Sequence, residues 1–178
     1  MAEEHTTALR SMTLCRTLSA AELASIARIV VERTVATGKD LFREGDAGDG
    51  LYLVVSGEIN VIKLGTEGEL VLAKMGPGAV LGEMSLITAD ARSATGRAQS
   101  DAVVLHLPSA GFRRLIDSGS TAALKISCAI AEVLARRLAA MNNLVLGLSA
   151  KPHPADKTQG MKTQDLRELH RTMQVWSF

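Results

Sequence analysis

Apolar positions change their period twice along the chain, and the changes divide it into three parts. Between 19 and 30, Leu23, Ile26, Ala27 and Val30 recur at three- and four-residue intervals, which marks one face of a helix. Ser19 stands before this run with Glu22 three positions on, a pairing that satisfies free N–H groups at a helix start. From 31 to 107 the runs shorten. Apolar stretches at 51–55, 59–64, 70–75 and 103–107 are cut by Gly45-Asp46, Gly48-Asp49-Gly50, Gly65, Gly68 and Gly76-Pro77-Gly78, all turn chemistry. Many short strands at this spacing predict an α+β domain: an antiparallel β-roll or jelly-roll barrel with an N-terminal helix and C-terminal helices.

Beyond Pro108 the period lengthens again. Residues 109–118 read as a short helix with Phe112, Leu115 and Ile116 inward, ended by Gly119. A long helix then covers 120–148. Leu124, Ala131, Leu138 and Val145 form one heptad series on it, and Ser127, Leu134, Met141 and Leu148 the interleaved one. Alternate spacings of three and four suit a coiled-coil seam, so a homodimer through 124–148 is expected. Ile126, Ile130 and Val133 lie to one side, placed to meet the barrel. The pattern therefore predicts a flexible leader at 1–12, one domain at 13–148, and a linker with a short tail at 149–178. In that tail the Pro-broken stretch 151–157 precedes a short helix from 163 to about 173, and the end with Trp176 and Phe178 is either a disordered terminus or a candidate docking peptide.

Composition narrows the picture. Of 178 residues 47% are hydrophobic but 3% aromatic, so the core is built from Leu, Val, Ile, Ala and Met. Twenty basic against 19 acidic residues leave a net charge of +1, which gives no broad pull toward DNA or an anionic membrane. Two cysteines, Cys15 and Cys128, exclude a disulfide scaffold or a cysteine-rich metal centre. The polar start Met-Ala-Glu-Glu-His is no secretory signal, and no apolar run approaches the roughly 20 residues that span a bilayer. A cytoplasmic location is expected. His106, His153 and His170 lack metal-ligand spacing, and Asp46 and Asp49 sit among turn glycines. Arg113-Arg114 and Arg136-Arg137 read as solvated helix faces. No Ser-His-Asp or Cys-His arrangement stands out, so neither an enzyme nor a metal site is predicted.

One segment carries chemistry. Residues 82–95 read Gly-Glu-Met-Ser-Leu-Ile-Thr-Ala-Asp-Ala-Arg-Ser-Ala-Thr. A short helix start at Gly82-Glu83 points backbone N–H groups at an anion. Arg92 supplies a fork for two phosphate oxygens. Glu83, acceptor-only when ionised, suits a sugar hydroxyl, because carboxylate and phosphate repel.

This segment resembles the phosphate-binding cassette of the cyclic nucleotide-binding domain family, which includes the sensor domain of the bacterial catabolite activator protein and the regulatory subunits of cyclic AMP-dependent kinase. The first hairpin (Gly38, Lys39, Asp40 through Gly45-Asp46), the strand pair around Ser56-Gly57-Glu58 and Gly76-Pro77-Gly78 extend the likeness over about 18–148. The resemblance implies that Arg92 pairs with the cyclic phosphate and Glu83 accepts from the ribose. Gly82 then lets the backbone approach the sugar, Met84 and Ser85 belong to the same ligand-binding set, and Ser93 and Ala94 offer backbone N–H groups. Val61 and Leu72 would flank the base, with Met141 and Asn142 of the long helix as its lid. It implies a cyclic nucleotide ligand, cyclic AMP ahead of cyclic GMP, and a stand-alone sensor that signals through its long helix to an unknown downstream protein. About 30 residues follow Leu148, too few for the helix-turn-helix module of transcriptional relatives, so DNA binding is not expected. The alternatives are such a regulator lacking its DNA-binding domain, or a ligand-free scaffold of the same fold.

Overall fold

The computed structural model describes residues 2–66, 68–88 and 90–149. Two four-stranded antiparallel sheets face each other. One has the order β1 (Val31–Val35), β8 (Ala102–Pro108), β3 (Gly50–Ser56), β6 (Val80–Leu81). The other runs β2 (Asp40–Phe42), β7 (Thr95–Ala98), β4 (Ile59–Gly65), β5 (Gly68–Met75). This is the expected β-roll.

The strand β3 is buried from Gly50 to Val54, and alternation explains why. Successive side chains point to opposite faces. Leu51 and Leu53, with Leu105 and Leu107 of β8, join a cluster shared with the helices. Tyr52 and Val54, with Val104, join a second cluster inside the roll, with Ile59, Ala73, Met75 and Ala98. A strand covered on both sides must be apolar throughout, which is the run read at 51–55.

The helices form an outer layer. α2 (Ala20–Ala27) starts with the capping box foreseen at Ser19 and Glu22, and Leu23, Ile26, Ala27 and Val30 are buried. α4 (Ser109–Asp117) buries Phe112 and half-buries Leu115, whereas Ile116, expected inward, is exposed. The helix is short, and its position at the periphery leaves one side to solvent. α5 (Thr121–Ser149) lays Ile126, Ile130 and Val133 on the helix-side cluster, and leaves Leu124, Leu138 and Met141 exposed.

The leader differs from expectation. Residues Ala2–Ser11 form helix α1, followed by a 3₁₀ turn at Thr13–Cys15. Leu9, Met12, Leu14 and Cys15 are buried in the helix-side cluster. Each fully buried aliphatic side chain contributes roughly 1.5–3 kcal/mol, enough to fix a helix whose polar surface hides its few apolar anchors in the sequence. The linker and short tail expected at 149–178 lie outside the described residues, apart from Ser149 at the end of α5.

Candidate functional site

The floor of the site is aromatic. Alternation along β3 and β8 turns Tyr52 and His106 into the roll, where their rings stack with centroids 4.6 Å apart. Phe42 of β2 stacks on Tyr52 at 5.7 Å. The guanidinium carbon of Arg92 lies 4.5 Å from the Phe42 centroid and 5.2 Å from that of Tyr52. Such cation–ring contacts are worth about 0.5–2 kcal/mol.

Arg92 is held at backbone and side chain by one turn. Its N–H donates to the Asp46 carbonyl at 2.8 Å, and its carbonyl accepts from the Gly45 N–H at 2.9 Å. Its Nη2 donates to Asp49 Oδ1 at 2.5 Å and Nη1 to the Gly82 carbonyl at 3.3 Å. The side chain is 1% exposed, yet its Nε has no hydrogen-bond partner. Gly82 has φ +73°, and a Cβ there would overlap Arg92 Nη1. The small residue expected to admit a sugar therefore makes room, in this structure, for the arginine itself.

Asp49 does more than shape a turn. Besides Arg92 it accepts from the Tyr52 hydroxyl at 3.2 Å, and lies 3.8 Å from Arg33 Nη2 and 3.5 Å from His106 Nε2. Burial raises the Asp49 carboxyl, but His106, Arg92 and Tyr52 outweigh it and hold the group below its ordinary value. For His106 burial dominates and, with the Arg33 and Arg92 guanidinium groups, lowers the imidazole against the opposing pull of the Asp49 carboxylate and backbone.

Glu83 opens the short helix α3 (Glu83–Thr88) and is buried. Its Oε1 accepts a hydrogen bond from Nη1 of Arg137 on α5, and Arg137 Nη2 donates to the Val80 carbonyl at 3.2 Å. The reading of Arg136-Arg137 as solvated holds for Arg136, whose side chain is 78% exposed, and fails for Arg137, at 17%. A buried carboxylate needs a charged partner, and Arg137 extends the barrel-facing series Ile126, Ile130, Val133 by four residues. That continuation was the signal in the sequence.

The other expected residues divide. Ser85 and Ala94 are buried, Met84 and Ser93 exposed. The Ser93 carbonyl accepts from Lys63 Nζ at 2.8 Å, and the same ammonium pairs with Glu44. Val61 is half-buried against the interior cluster. Leu72 is the extra residue of a bulge, since Val61 pairs with Ala73 and Ile62 with Val71. Met141 and Asn142 are exposed on α5, and Arg137 of the same helix reaches the cassette. Asp49, Arg33, Lys63 and Arg137 are the neighbours that sequence reasoning passed over. Among the described residues no three His, Cys, Asp or Glu side chains are grouped to hold a metal ion, and no helix is long and apolar enough to cross a membrane.

The architecture is that of a β-roll domain with a long C-terminal helix packed on it. Residues 32–118 match the family model described as the cyclic nucleotide-binding domain. A cyclic nucleotide-binding-like protein from Brucella abortus superposes with a TM-score of 0.56 at 30% identity, covering 64% of this chain and 98% of that one, and the chain belongs to that family. It is 38% identical over 107 residues to a cyclic AMP receptor protein of Thermus thermophilus, covering 60% of this chain and 48% of the relative. A cyclic nucleotide-binding domain from Methylobacillus flagellatus superposes with a TM-score of 0.70 at 26% identity, covering 87% of this chain and 86% of that one. The regulatory domain of Toxoplasma gondii PKA, solved with cAMP, gives a TM-score of 0.59 at 31% identity, covering 67% and 46%. The chain spans 28% to 48% of the length of the first curated relatives it matches.

Proposed function

We propose that the chain is a sensor module that binds a cyclic nucleotide without changing it chemically, cyclic AMP ahead of cyclic GMP. The observation that carries the reading is Arg92, a buried guanidinium with an unmet Nε donor. Leaving a buried donor unpaired costs about 1–3 kcal/mol, and a phosphate oxygen is the acceptor best suited to it. Gly82, Ser93 and Ala94 line the approach in sequence. Glu83 then takes the ribose hydroxyl, Val61 and Leu72 flank the base, and Met141 and Asn142 cover it, as the family resemblance implies.

Arg92 and Glu83 are both engaged internally, by Asp49 and Arg137. Ligand must therefore reshape the cassette, and the sugar competes for the carboxylate that anchors α5. That competition couples binding to helix position, a population shift driven by the difference in ligand affinity between two arrangements. The exposed series Leu124, Leu138 and Met141 is the surface through which two copies pair, and pairing carries the helix movement to a partner protein. The setting is the cytoplasm, where such messengers circulate.

The same internal pairing favours the second reading, a scaffold whose polar residues now serve structure. A crystal soaked in cyclic AMP separates the two. A ring phosphate within hydrogen-bond distance of Arg92 supports the sensor; an Arg92 still closed on Asp49 with no nucleotide bound supports the scaffold.

A further inference from the structure

His106 is a buried imidazole whose Nε2 makes no hydrogen bond of normal geometry, although both the Asp49 backbone and its carboxylate lie close enough to pull on the ring. It faces Asp49 from the turn before β3, Tyr52 from β3, Arg33 from β1 and Arg92 from the turn after α3. Asp49 is the hinge of this set, since its Oδ1 takes Arg92 while Oδ2 lies 3.5 Å from the imidazole. Nothing in the sensor reading assigns His106 a part.

We propose that nucleotide binding at Arg92 is linked to proton uptake by His106, with Asp49 as the relay. The inference rests on the reading of Arg92 as the phosphate-binding residue. Before binding, two guanidinium groups and one carboxylate leave the cluster a single positive charge. A cyclic phosphodiester brings one negative charge and cancels it. Arg92 must then be shared between two anions, and Asp49 loses part of its partner. The unmet Nε2 beside it is the group placed to compensate, by protonating and donating to Oδ2. The proton comes from solvent and no covalent bond other than N–H changes.

Burial keeps the imidazole of the free protein below its ordinary value, and the bound phosphate raises it. The bound form therefore holds more protons in the interval between the two values. Affinity rises as pH falls through the bound-state value and levels off below the free-state value.

Titration of the His106 ring by NMR, without and with saturating cyclic AMP, reads this directly and needs no variant. An upward shift of His106 on binding is expected. Calorimetry on the same protein should show about fivefold tighter binding near pH 5.5 than near pH 7.5, with net proton uptake across buffers of different ionisation enthalpy. His106→Gln should bind with no such slope. If cyclic AMP binds while His106 titrates unchanged and affinity is flat in pH, the linkage is wrong and the sensor reading stands. If cyclic AMP binds at neither pH, the sensor reading fails and the linkage goes with it.

Discussion

Glu83, the first residue of α3, is ion-paired with Arg137, 54 positions later on α5, and the pair is the polar tie between cassette and long helix. Removing one member of a buried pair strands the other charge. Arg137→Met is expected to destabilise the protein by about 3 kcal/mol in urea denaturation, and Glu83→Gln with Arg137→Met should recover part of that. Amide exchange over 130–143 should quicken in the single variant. Unchanged exchange would show that the apolar contacts of Ile126 and Ile130, with the Glu22–Lys125 pair, hold the helix without Arg137.

Gly82 has little tolerance for change. Its positive φ disfavours any side chain, and a Cβ would occupy the seat of the Arg92 guanidinium. Gly82→Ala is expected to lower nucleotide affinity at least tenfold, with a fall in Tm of a few degrees. Wild-type affinity in this variant would show that Arg92 does not need its present seat to bind.

Acid should loosen the helical layer at Glu22. The Lys125 ammonium, then the Ser19 N–H and the Thr121 hydroxyl, hold its carboxyl down at about 2 from an ordinary 4.5. A depressed folded-state value gives stability that is complete above 4.5 and lost as pH falls from there toward 2. Melting curves of wild type and Glu22→Gln between pH 6 and about 3 check this. The wild type should be the more stable at the upper end, and the difference should shrink on acidification. A constant difference would assign the effect to the capping geometry rather than to charge.

Leu138 is 61% exposed on the face of α5 turned away from the roll. If two copies meet there, Leu138→Asp puts a charge in an apolar seam. A dimer for the wild type and a monomer for the variant are expected by light scattering at micromolar concentration. A monomeric wild type, with and without cyclic nucleotide, would remove the seam.

The strands were legible because glycine pairs punctuate them and because a strand covered on both faces, such as 51–55, must be continuously apolar. The capping box at Ser19 was legible because it is local. What escaped was the set of contacts made across the fold. Asp49 looks like a turn residue beside two glycines, and its bond to Arg92 joins positions 43 apart. Arg137 looks like half of a solvated pair until the packing of α5 separates it from Arg136. α1 was missed because Leu9 and Met12 are too few to set a period, although both are buried.

Calorimetric titration of the wild type and Arg92→Ala with cyclic AMP and cyclic GMP decides whether Arg92 holds the ring phosphate, with circular dichroism to confirm that both proteins are folded. Saturable one-to-one binding by the wild type is expected, with a loss of about 2–4 kcal/mol in the variant, because the phosphate loses its charged fork. Equal affinity in the two proteins, or no binding of either nucleotide by the wild type, would contradict that role of Arg92.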